Sequence, residues 1–205
     1  YTELCLVDNY LELEQQENSH FRRLGSILKD YPIYNEFLAG IRGVGPAMAG
    51  VIISEMDIAK AEYPSSLHKY AGLDVASDGQ GRSRRKEHLE DSQYTDADGE
   101  IKTKKGITFN PFLKTKLVGV LGSSFIKQPA DKCKYRKIYD DYKHRIENMD
   151  AHKEKSKLHR HNMANRYMIK IFLIDLYNEW RRIEGLPVAP SYSEAKLGKV
   201  HGKAA

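Results

Sequence analysis

The amino-acid sequence predicts a mainly α fold: a helical domain containing a helix-hairpin-helix, with a small β-hairpin insertion and an N-terminal helical, coiled-coil-like arm. Three observations carry this expectation. Apolar residues recur at three and four residue intervals over most of the chain. Prolines and glycines stand where helices start and turn, and one polar segment, 74–106, has the turn chemistry of a hairpin. The 205 residues are 40% apolar and 30% charged, long enough to bury a core and too apolar to stay disordered. No run approaches the roughly 18 apolar residues that suggest a bilayer span, and no signal peptide opens the chain, so membrane and secretory readings drop away. Cys5 and Cys133 fit no metal or disulfide spacing, which makes a reducing cytoplasm the expectation. The chain starts at Tyr1 and is expected to be a piece of a longer protein.

Residues 1–31 read as the arm. Leu4, Val7, Leu11, Phe21, Leu24 and Leu28 form an apolar stripe broken by Glu14 and Asn18, and Pro32 ends it. Residues 32–186 form the main domain. It opens with helix, tight turn, helix: Phe37, Leu38 and Ile41 precede Gly43-Val44-Gly45-Pro46, and Ala49, Val51, Ile52 and Ile53 follow. A short helix after Pro64 runs to the turn at Gly72. Asp96 to Gly99 turns a hairpin between 92–95 and 100–103. Asn110 caps a helix whose buried stripe is Leu113, Leu117, Val120, Leu121 and Phe125. Two long helices, about 134–149 and 156–184, complete the domain, and 187–205 is expected to be an irregular tail.

Charge divides the chain. Residues 1–40 carry a net −4 and the remainder +9, for +5 overall, so a basic partner surface is expected after residue 40 and a polyanion is its natural partner. Two features sharpen that. At Gly43, Val44 and Gly45 the turn can approach a phosphate closely, with N–H groups of the second helix aimed at the oxygens and Val44 tucked inward; an ordinary αα turn has the same residues. In 77–86, Ser83 has Arg82, Arg84, Arg85 and Lys86 as neighbours, so a hydroxyl that could attack a phosphodiester sits among guanidinium groups able to hold the nonbridging oxygens. His88 is the one nearby histidine to take its proton; a basic loop that only contacts phosphate is the plainer alternative. Further basic stretches include Lys104 and Lys105, and Arg160, with Tyr135, Tyr139 and Tyr142 interleaved. The tyrosines are mostly expected to pack in the core. Asp91, Asp96, Asp98 and Glu100 lack the spacing of a calcium loop, and His152, His159 and His161 lack ligand spacing, so no metal is expected in this chain.

The hairpin at Gly43 to Pro46, the segment Tyr70-Ala71-Gly72-Leu73-Asp74, the Gly-rich serine and arginine loop after it, and Arg160-His161-Asn162-Met163-Ala164-Asn165-Arg166-Tyr167 together resemble one family. These are insertion-sequence transposases with an N-terminal acidic resolvase-like domain and a C-terminal serine-containing transposase domain, the bridge-RNA-guided recombinases. The resemblance covers about 33–185 and implies the C-terminal domain of a DNA recombinase that works with DNA and a guide RNA. Its serine forms a covalent phosphoserine link; Ser83 matches best and Ser77 second, although neither is followed by the glycine usual in the family, and Ser123 and Ser124 are remote alternatives. The resemblance also implies Mg2+ at the absent N-terminal domain, a homo-oligomer, and a prokaryotic, nucleoid-associated setting. The isolated chain is expected to be inactive in transposition. The alternatives are a non-catalytic helix-hairpin-helix module of a repair or recombination complex, and a helical protein-interaction domain.

Overall fold

The computed structural model describes residues 2–198, and the fold is mainly helical with one two-stranded antiparallel hairpin. The arm is a single helix, α1 (Thr2–Leu28). Among the described residues its stripe has no partner over most of its length: Leu4 is 69% exposed and Leu11 52%. Only the last turns dock, with Leu28 buried and Leu24 against Gly50. Pro32, Pro46, Pro64 and Pro111 each open a helix, where the missing N–H costs nothing and φ is preset: α2 (Pro32–Glu36), α3 (Pro46–Glu55), α4 (Pro64–Tyr70) and α5 (Pro111–Lys114). The first limb of the hairpin is short, because Phe37 leaves helical geometry at φ −130° and Leu38–Gly40 continue as a 3-10 turn.

Between α4 and α5 the hairpin β1 (Glu90–Thr95) and β2 (Ile101–Gly106) pairs Glu90 with Gly106 and Thr95 with Ile101. Both strands are exposed almost throughout. After α5 the helix widens to a π form over Thr115–Leu121 and tightens again in α6 (Gly122–Ile126). Leu113, Leu117, Leu121 and Phe125 are fully buried, whereas Val120, expected in the stripe, is 51% exposed. The spacing explains both facts. A strict repeat of four overshoots the 3.6-residue α-turn, and a wider turn brings the stripe back to one face while Val120 rotates outward. The Nδ2 of Asn165 donates to the Val118 carbonyl at 3.0 Å within the widened stretch. Asn165 reaches so close because residue 122 is glycine; any Cβ there would strike its side chain.

The long helix α8 (Lys157–Ile183) is the centre of the core, with Met168, Ile169, Phe172, Leu173, Leu176 and Tyr177 buried. It packs on α7 (Lys134–Glu147), α4, α6 and α2. Tyr135 joins Phe125 and Phe172 in an aromatic cluster, Tyr139 is buried, and Tyr142 stacks on Tyr167 with ring centres 4.1 Å apart; these rings serve packing, as expected. The tail expected to be irregular has no regular element over 187–191, yet it is tied to the core. Buried Arg181 donates to the carbonyls of Pro187, Ile58 and Ala61, the Ala189 N–H donates to the Tyr177 hydroxyl, and a short helix α9 (Tyr192–Leu197) follows. Arg181 and Tyr177 thus fasten residues 187–189 to the core; residues 199–205 lie outside the described residues. Among the described residues no helix is long and apolar enough to cross a membrane.

Candidate nucleic-acid interface

The serine loop is shaped by a tight turn. The Asp78 carboxylate accepts the Gln80 N–H at 2.8 Å, Gly79 takes φ +76°, and the Ala76 N–H donates to the Gln80 carbonyl, so the chain doubles back between 76 and 80. A second turn at Lys86–His88 carries His88 inward, 2% exposed. The two turns bring three side chains into line. The Ser83 N–H donates to His88 Nδ1 at 2.9 Å, which makes Nδ1 the unprotonated nitrogen, and the Ser83 hydroxyl reaches the same atom at 2.9 Å. On the other side of the ring Nε2–H donates to Asp78 Oδ2 at 2.9 Å. This hydrogen bond, then that from Gln80, holds the Asp78 carboxyl below its ordinary range. The order carboxylate, imidazole, hydroxyl is the arrangement that fixes a histidine tautomer and lets it remove the serine proton. Ser77 is exposed and is not part of this line. Ser124 donates to the Gly43 carbonyl at 2.7 Å, a structural bond far from it in sequence, and Ser123 is exposed on α6.

The expected basic residues divide by what they touch. Arg84, Arg85, Lys86, Lys104 and Lys105 are exposed. Arg82 is engaged internally: Nε and Nη2 donate to Asp74 Oδ2 at 3.0 and 2.8 Å, and Nη1 donates to Glu90 at 3.0 Å. It staples the start of the loop to β1, and its expected contact with phosphate would have to displace a carboxylate. Arg160 is likewise turned inward, donating to the carbonyls of His152, Lys153 and Lys155. Sequence reasoning passed over Asp78, Arg166 and Lys170. Lys114 donates to the Arg82 carbonyl at 2.6 Å, and a side chain at Gly81 would run into the Arg166 guanidinium, so two cations from α5 and α8 press on the backbone just before Ser83.

At the other candidate contact, Gly43 has φ +99° and faces Phe125 and Ser124, so its glycine serves the turn and the close packing beneath it. Val44 is half-buried against the core, as expected. Gly45, Pro46 and Ala47 are exposed, with nothing near the position a Gly45 Cβ would take, so the start of α3 is open to an anion. This turn sits beside Ser124 while Glu55, at the far end of α3, accepts from Asn110 at 2.6 Å. α3 therefore runs antiparallel to 111–126, and the hairpin and the Lys114 end of the serine site are separated by on the order of 15 Å along that helix. Two clefts, of about 390 Å³ beside Phe37 and Tyr135 and about 360 Å³ beside Glu55 and Tyr70, contain no residue of the serine loop. Among the described residues no group of three or more His, Cys, Asp or Glu fits a metal. No family model, curated protein or solved structure matches this chain.

Proposed function

We propose that the chain is the DNA-binding and nucleophile-bearing part of a transposase or recombinase, in which Ser83 attacks a phosphodiester. The observation that supports it most is the line Asp78, His88, Ser83 set in a loop ringed by cations. In the step, Ser83 Oγ bonds to phosphorus as its proton passes to His88 Nδ1. Asp78 steadies the imidazolium, the bond from phosphorus to a sugar oxygen breaks, and that oxygen leaves with a proton taken from solvent, producing a phosphoserine ester; His88 later returns its own proton to solvent. The exposed start of α3 and the cations at 84–86 and 104–105 grip backbone without reading sequence. Guide RNA, the acidic resolvase-like domain and Mg2+ at that domain complete the machinery in this reading; no step of the serine chemistry depends on a metal held here.

The test of the binding surface is titration of a labelled duplex and of a structured RNA across salt. Affinity should fall steeply as salt rises. Gly45 has φ −93° and ψ 169° and open space about it, so Gly45→Val should fold unchanged while weakening duplex binding about tenfold by covering the α3 amides. Binding indifferent to salt and to that variant would transfer the function to protein interaction. Binding without an activated serine would leave the non-catalytic module. The unpartnered stripe of α1 is assigned to a second copy of the chain. Deleting residues 1–20 should leave the melting temperature nearly unchanged, since Leu24 and Leu28 stay in place, and should convert an oligomer to a monomer by light scattering; a wild-type monomer at all concentrations removes that assignment.

A further inference from the structure

We infer that Arg84, Lys114, Arg166 and Lys170 form a phosphate-binding site beside Ser83, distinct from the turn at Gly45. Its source as nucleic-acid backbone rests on the function proposed above; the site itself rests on the placement of charge. Lys114 reaches the Arg82 carbonyl at 2.6 Å and covers the Phe109 ring at 4.6 Å, and Arg166 lies against the backbone of Gly81. Lys114, Arg166 and Lys170 are all half-buried. Among the described residues none of these four cations has an ion-pair partner. The carboxylate in their midst, Asp74, gives Oδ2 to Arg82, and its buried Oδ1 accepts from no donor. Lys114, Arg166 and Lys170 are thus partly desolvated like charges offset by one carboxylate, Asp74, that Arg82 already holds, an excess of positive charge that a further anion would relieve.

The titration of these groups agrees. Burial, with Arg166 next, pushes Lys114 down to about 8, and burial followed by Arg166 lowers Lys170. A lysine depressed in the fold costs stability while it is charged at neutral pH. That cost is relieved as pH rises from about 8 toward the ordinary lysine value of about 10.4. A phosphate oxygen relieves it at neutral pH by favouring the charged ammonium, which raises the Lys114 midpoint. Two anion contacts on one domain, at Gly45 and beside Ser83, suit a polymer of phosphates. The phosphodiester at the second is then held where Ser83 can reach it.

The experiment follows the Lys114 side-chain carbon resonance through pH in the whole chain, in chloride, in inorganic phosphate at matched ionic strength, and with a short duplex. The free midpoint should lie at about 8. Phosphate should raise it by about one unit, a tenfold preference for the charged form, and the duplex should do the same at lower concentration. Arg166→Gln with Lys170→Gln should weaken duplex binding at least tenfold and flatten its salt dependence by about one to two units of slope. A midpoint identical in chloride, phosphate and duplex overturns the site even if duplex binds elsewhere, and in that case the binding reading survives through the α3 turn. A midpoint raised by phosphate with no duplex binding keeps the anion site for a free phosphate and overturns the nucleic-acid reading.

Discussion

Incubated with a fluorophosphonate, whose phosphorus resembles that of a phosphodiester but carries its own leaving group, the chain should be labelled at Ser83. The reaction needs no guide RNA, metal or second domain, so it isolates the activation of the serine from the rest of the proposed machinery. A free serine hydroxyl holds its proton too tightly to react at neutral pH. His88 accepts from Ser83 through Nδ1 and is fixed in that tautomer by Asp78 at 2.9 Å. Ser83→Ala should therefore abolish labelling. His88→Gln, which can still accept the Ser83 N–H but cannot serve as base, should slow it by about 10²–10⁴-fold. Asp78→Asn should slow it less, because the imidazole keeps its place against Ser83 while losing its anionic partner. Ser77→Ala should stay within about twofold. Peptide mapping decides between the serines: label on Ser77, or a rate at Ser83 unchanged by His88→Gln, removes the assignment and leaves a basic loop that only touches phosphate. Under the recombinase reading proposed above, the same Ser83→Ala change should leave nucleic-acid binding intact and end strand exchange.

The sequence made some of this site legible and hid the rest for physical reasons. Ser83 and its basic neighbours are contiguous, and His88 is close enough to notice. Asp78 was hidden because its role depends on the doubled-back turn at 76–80, a consequence of the Asp78 and Gln80 bond and of Gly79 at φ +76°. Arg82 looked like its neighbours; only the tertiary position of Asp74 and Glu90 turns it into a staple. Arg160 is similar, since its three carbonyl partners sit in an irregular stretch with no pattern to read. Arg166 and Lys170 lie on α8 between core residues, so helical periodicity marked their face as ordinary, and only the approach of Gly81 reveals what Arg166 meets. The fold was easier: Pro46, Pro64 and Pro111 at helix starts, Asn110 as a cap accepting the Leu113 N–H at 3.0 Å, and the Asp96 to Gly99 turn are local signals with local causes. The π stretch was not, because a spacing of four reads as α until the partner helix shows which face is buried.

Gly72→Ala should be among the most destabilising single substitutions on the path to the serine loop. Gly72 has φ +63° and ends α4, with its N–H donating to the Lys69 carbonyl at 3.0 Å and the Leu73 N–H to His68 at 2.8 Å. An added Cβ would both occupy the left-handed region and stand within 2.6 Å of Phe109 ring atoms. Conformational strain of about 1 kcal/mol and overpacking of about 1–3 kcal/mol sum to about 3 kcal/mol, roughly 6–12 °C in Tm for a chain of this size. The effect should not stop at stability. Phe109 carries Lys114 above its ring at 4.6 Å, and Lys114 holds the Arg82 carbonyl, so moving the ring moves the residue before Ser83. Fluorophosphonate labelling should accordingly slow in Gly72→Ala even well below its Tm, while Gly40→Ala, where a Cβ meets nothing within 4 Å, should alter neither Tm nor rate appreciably. Equal melting temperatures for the two variants would mean that Phe109 has room to retreat. A lowered Tm with an unchanged rate would separate the serine loop from the Gly72, Phe109 and Lys114 contacts and place its rigidity in the Arg82 staple alone.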